Sequence, residues 1–329
     1  MFDGRPQERL PRAIFGGGLW AFAQTGLLPA ELADDPGRFV NALSTLYDGL
    51  DTDLIFVGSG LNSFPAETIG GTLRFDGPSA PLLKHPLIRS TADLVRAEAA
   101  EPLDSPSTAA LVQVVEGLRA NFPDRVLCAT SWGPFTWGMI LCDPDLLREK
   151  LAADPPFVGA IAALGARLSI AYFDQLIDRG LIDGVSVPDG AVTFLPDEAY
   201  RDLVLPRQRE LFDHVRGRGV RSILHMCGRI RRQLPLYSGA GADCISVDCS
   251  VGVGEAYGLY RESTVTAGNV DAVAVLARGD EAAVRRGVAA CVGQVGDPRL
   301  RYILMPSCDL PVETPLRNVT AFLAAADEH

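Results

Sequence analysis

The feature that most constrains this chain is a regular alternation. Eight short apolar or β-branched runs recur along 329 residues, at 12–17, 52–60, 125–133, 183–190, 220–228, 243–250, 263–270 and 301–309. Helical spacing, with apolar residues three and four apart, marks 35–50, 143–180, 195–219, 230–241, 254–262, 270–296 and 314–329. Pro155, Pro156, Pro206 and Pro235 are expected to break or kink some of these helices. Strands alternating with helices imply right-handed βαβ units and a parallel sheet. A count of eight favours a closed (β/α)8 barrel, a TIM barrel, over an open doubly wound sheet. The length suits one such barrel, so residues 1–329 read as a single domain with an N-terminal extension. One insertion, 66–88, follows the second strand and reads as a rim loop with a short strand of its own.

Composition narrows the partners. Lys and Arg number 30 against 41 Asp and Glu, a net charge of −11. Such a chain has no excess cation to neutralise phosphates, which argues against nucleic acid and anionic membrane as partners. No run of about 18 apolar residues is evident, so no membrane span is expected. The opening MFDGRPQERLPRAIF lacks the apolar core of a signal peptide. The expected location is cytoplasmic. Seven cysteines, an odd number, read as reduced thiols used for packing, metal binding or catalysis.

A barrel places its active site at the C-terminal ends of the strands. The polar residues there are Asn62 and Glu67, Asp189, His225 and Cys227, Asp248, Asn269, and Cys308 with Asp309. His225 and Cys227, two apart in ILHMCGRI, share one face of a strand end. Imidazole and thiolate suit Zn2+, and Cys308 is the candidate third ligand. Three protein ligands leave one position open, as in catalytic rather than structural zinc sites. A structural zinc in a non-catalytic barrel is the competing view. A His-x-Cys pair alone is a weak signal, and its placement at the rim strengthens it. Cys249, also near the rim, is the rival third thiol. Cys128, Cys142, Cys244 and Cys291 fall in apolar or helical runs and are expected to act as small hydrophobes.

HMCGRIRRQLPLYSGAGADCISVD, TAGNVDAVAVLARGDEAAVRRGV and ILMPSCDLPVETPLRNVTAF resemble the uroporphyrinogen decarboxylase superfamily. More narrowly they resemble its cobamide-dependent methyltransferase branch, as do GPFT (133–136) and AETIGG (66–71). The resemblance implies a (β/α)8 barrel and a zinc site formed by His225, Cys227 and Cys308. It implies methyl transfer between a corrinoid (methylcobamide) carried by a partner protein and a small thiol such as coenzyme M. The reverse direction, loading the corrinoid from a phenyl methyl ether or a methylamine, belongs to the same branch. Asp248, Glu255 and Asp189 are the candidate catalytic residues. Asp248 or Glu255 would fill the open metal position or orient His225. Asn269, Glu67, Asn62 and Arg229 are the candidate substrate-binding residues. For Asp189 a turn, and for Asn269 a helix cap, are the plain structural alternatives. Decarboxylation is a third reading. Against it, RLPRAIFGGGLWAFAQTG offers Arg9 and Arg12 but lacks the decarboxylase's Arg-Gln-Ala-Gly-Arg pattern.

Overall fold

Seven of the eight expected strands pair into one parallel sheet in a computed structural model that describes Phe2, residues 5–100 and residues 105–329. The strands are Leu54–Val57 (β1), Leu73–Arg74 (β2), Leu82–Leu83 (β3), Val126–Thr130 (β4), Gly184–Pro188 (β5), Arg221–Met226 (β6), Cys244–Val247 (β7), Val265–Val270 (β8) and Tyr302–Pro306 (β9). The sheet runs β1-β4-β5-β6-β7-β8-β9, each neighbour parallel. Nearly every strand residue is buried, because both faces of the sheet are covered. Alternate residues, among them Leu54, Phe56, Cys128, Ile223 and Met305, join Phe15 in a separate apolar cluster. The other face packs on the helices in the main core.

The eighth expected strand, 12–17, is reduced to two residues. Arg12 bridges Leu304 of β9 and Ala13 bridges Leu54 of β1, both parallel, so this short piece reaches both edges of the sheet. The Ala13 amide donates to the Leu304 carbonyl at 3.0 Å, and the Asp53 amide donates to that of Arg12 at 2.9 Å. The strand is short because of its flanks. Pro11 has no N–H to offer. Gly16 and Gly17 take φ of 61° and 70°, which turns the chain into the helix Gly18–Thr25. Arg12 is fully buried, and its guanidinium pairs with Asp51 and, at 2.6 Å, with Asp327 near the C-terminus.

The expected rim insertion is a short 3-10 helix, Phe64–Ile69, followed by the antiparallel pair β2 and β3. The long helical stretch 143–180 divides into Pro144–Ala153 and Pro155–Ile177. Pro155 opens the second helix, where its missing N–H costs nothing. Pro206 likewise lies in the first turn of Leu205–Gly217.

Pro155–Ile177 is long and apolar enough, by length and composition, to cross a membrane. Its apolar character serves the core instead. Leu164, Leu168 and Phe173 are buried, and Arg167 donates to the carbonyls of Ala97 and Ala100 at 2.7 Å each.

Candidate metal centre

Strand register assembles the site. His225 lies opposite Pro188 of β5 on one side and Ser246 of β7 on the other. The Asp189 amide donates to the His225 carbonyl at 3.1 Å, and the Asp248 amide donates to that of Met226 at 3.1 Å. Both sides of β6 are therefore held up to its last residue. Cys227 follows the strand directly, and Gly228 at φ 85° turns the chain away. A β-carbon on Gly190 would collide with the Cys227 sulfur, so the glycine of VPDGA clears space for that thiol.

His225, Cys227 and Cys308 come together, with one potential ligand atom from each within 4.8 Å of the others. His225 is 1% exposed, and its Nδ1 lies 3.0 Å from the Ser246 hydroxyl. Phe15 packs against the ring with centroids 4.2 Å apart. Nε2 is buried and has no hydrogen-bond partner among the described residues. A buried ring nitrogen without a partner is costly unless something binds it. The facing Cys308 thiol, and then His225, stabilise the Cys227 thiolate and hold its pKa well down, against burial. The same pairing, aided by burial, pushes Cys308 up. The two sulfurs therefore behave as a pair that shares one proton. One imidazole nitrogen and two sulfurs, one of them already a thiolate, fit a soft divalent cation such as Zn2+.

The other sequence candidates separate. Asp248 is half-buried, its Oδ1 accepts from the Ser250 amide at 2.7 Å, and its charge reaches Cys227. Asn269 is 5% exposed and donates from Nδ2 to the carbonyls of Asp248 and Val251, at 3.1 and 2.9 Å. It thus ties the end of β8 to the loop after β7. Asn62 and Glu67, at the β1 rim, each keep a buried side-chain oxygen with no partner. Arg229 is exposed just past Gly228. Glu255 pairs with Arg231 at 2.5 Å near the surface. Cys249, the rival thiol, is exposed and lies outside the cluster of three.

Asp189 is fully buried. Its carboxylate accepts from the Thr136 amide at 2.7 Å and the Gln208 side chain at 2.8 Å. It thereby caps the helix Pro134–Leu141 across from β5. Burial pushes its carboxyl up to about 6, opposed by the bonds from Gln208 and Thr136.

Two neighbours, Ser246 and Phe15, were not singled out by sequence, and a third, Asp309, was given no role. Ser246 had a usable signal, since alternation in β7 places it two residues before Asp248 on the same face. Phe15 had none. Asp309 was visible as a strand-end acid without a role. Its Oδ1 accepts from the Gly17 amide at 2.7 Å and the Ser59 hydroxyl at 2.8 Å. Part of the residue reaches solvent, while desolvation of the carboxyl itself pushes it up and the Ser59 and Gly17 bonds work against that.

A barrel-like parallel sheet with a His-Cys-Cys cluster at its strand ends defines a class, an α/β protein with a thiol-rich candidate metal centre. Its family follows from sequence: the profile of uroporphyrinogen decarboxylase (URO-D) matches residues 22–329, and the chain belongs to that family. The chain is similar to the methylcobamide:CoM methyltransferase MtbA of Methanosarcina mazei, at 28% identity over 60% of this chain and 56% of that one. The match therefore spans little more than half of that relative's length. It is also similar to a uroporphyrinogen decarboxylase of Carboxydothermus hydrogenoformans, at 24% identity over 85% of this chain and 79% of that one. A solved methyltransferase from Methanosarcina mazei shares the fold, with a TM-score of 0.86 at 17% identity, covering 99% of this chain and 96% of that one.

Proposed function

We propose that this protein is a zinc-dependent methyltransferase that moves a methyl group between a corrinoid on a partner protein and a small thiol. The observation that carries this reading is the meeting of His225, Cys227 and Cys308 around a buried ring nitrogen with no partner. Support comes from the relative named as a methylcobamide:CoM methyltransferase, for which coenzyme M is the acceptor in the printed name. In this reading residues 12–13 complete a closed (β/α)8 barrel, and the cluster lies at its mouth.

His225, Cys227 and Cys308 would hold the metal. Bound Zn2+ lowers the pKa of a coordinated thiol, so that a thiolate is present at neutral pH. The chain's own residues supply the rest. Ser246 and Phe15 fix the His225 ring, so Nε2 is the nitrogen presented to the cluster. Cys308 gives up the shared proton when the pair takes a cation. Asp248 is the candidate acid nearest in effect to Cys227, and Asn269 holds the carbonyl end of that loop. Asn62, Glu67 and Arg229 line the substrate side. Asp189 positions the end of β5 from beneath. Glu255, engaged by Arg231, acts on the loop rather than on the metal. The protein works among reduced thiols in the cytoplasm.

Metal analysis of the purified protein tests the reading. The expected content is about one zinc per chain, falling to near zero in Cys308→Ala. Wild-type protein prepared without chelators and free of zinc would sink it.

A further inference from the structure

The walls of the metal centre are anionic. Two acids stand at the strand ends that carry the thiols: Asp248 follows β7 and is tied through its amide to Met226, next to Cys227, and Asp309 directly follows Cys308 beyond β9. Among the described residues, neither acid is neutralised by an ion pair. Asp248 is held by the Ser250 amide, and Asp309 by the Gly17 amide and the Ser59 hydroxyl, all uncharged donors. The anchoring of Asp309 is built into the chain. Gly16 sits so close to that carboxylate that a β-carbon there would overlap it, and Gly16 and Gly17 both take positive φ to wrap it. Both donors engage Oδ1. The metal adds no compensating charge, because Zn2+ with two thiolates and a neutral imidazole is formally neutral. Arg229, the cation nearest along the chain, is exposed beyond Gly228.

We infer that the centre selects a small thiol whose far end is positively charged or neutral and discriminates against one ending in an anion such as a sulfonate, with Asp309 as the specificity-determining residue. This rests on the metal–thiol reading above. A thiolate entering a formally neutral centre makes the complex anionic. A cationic tail offsets that charge and pairs with Asp309, whereas a sulfonate tail adds a second like charge beside it.

The test uses three thiols on the same two-carbon chain: thiocholine, 2-mercaptoethanol and 2-mercaptoethanesulfonate. Thiocholine and the sulfonate have similar bulk at the tail and opposite charge, and the trimethylammonium has no lone pair with which to chelate. Binding to the zinc-loaded full-length protein is followed by calorimetry, and to the Co(II)-substituted protein by the thiolate absorption. Thiocholine should bind at least about tenfold more tightly than the sulfonate, and the ratio should shrink as salt rises. Asp309→Asn keeps the Oδ1 acceptor for Gly17 and Ser59 and should bring the ratio towards one. Sulfonate binding as tight as that of thiocholine overturns the inference alone. Failure of all three thiols to bind overturns it together with the metal–thiol reading. A ratio unchanged in Asp309→Asn removes the assignment to Asp309. Should that variant fail to load zinc, the wild-type protein decides, and a ratio indifferent to salt overturns the inference.

Discussion

His225 is held on its face by Phe15 and at Nδ1 by Ser246, and only Nε2 is left without a partner. That arrangement is the residue-scale reason to read a ligand. Removing the orienting hydroxyl with Ser246→Ala should weaken zinc binding by about 10- to 100-fold while the fold persists. Competition with a chelator checks this, and undiminished affinity would show that the ring needs no orientation from β7. Asp189 makes a separate prediction. Its carboxyl titrates near 6 in the folded protein, above the ordinary 3.8, because it is buried. A group raised in this way contributes stability that is full below its unfolded pKa and lost as pH rises through the folded one. The loss between pH 4 and 6 is about 3 kcal/mol at most. Asp189→Asn should flatten that part of the stability curve, measured by denaturant unfolding across the range. A wild-type-like slope in the variant would contradict the assignment. That His225, Cys227 and Cys308 meet was legible in the sequence because spacing and strand ends carry them. The role of Asp189 was not, because Gln208 and Thr136, which hold it, are distant in sequence and follow no periodic pattern.

At the scale of elements, the site depends on where β6 and β9 end and on the closure between β1 and β9. Seven strands could be read from apolar runs because both faces of a parallel sheet are buried. The segment at 12–17 reads equally apolar, yet Pro11 and the paired glycines confine it to two bridges. Pairing geometry, rather than hydropathy, decides that length. The buried Arg12 anchors this piece to Asp51 and Asp327. Arg12→Ala removes several charged hydrogen bonds from a buried position and should lower stability by about 3 kcal/mol. Denaturant unfolding measures this, and a loss within experimental error would mean that the closure is held by backbone alone. Gly190 ties an element end to the chemistry. Gly190→Ala should reduce zinc affinity without a comparable loss of stability, since the added carbon meets the Cys227 sulfur. Zinc content and melting temperature, taken together, separate the two effects.

Over the whole molecule, charge and topology act together. A chain of net charge −11 places two acids beside its thiol-rich centre, and that balance bears on which small molecules enter. The family includes relatives named as decarboxylases and as methyltransferases. Fold alone does not separate these activities, so the methyltransferase proposal rests on the His225, Cys227 and Cys308 cluster. The most direct measurement mixes the zinc-loaded protein with methylcobalamin and a small thiol and follows the corrinoid absorption spectrum. The expected result is demethylation that requires both the thiol and the protein and is abolished in Cys308→Ala. A spectrum that does not change with any of the three thiols, alongside decarboxylated product from uroporphyrinogen, would contradict the account.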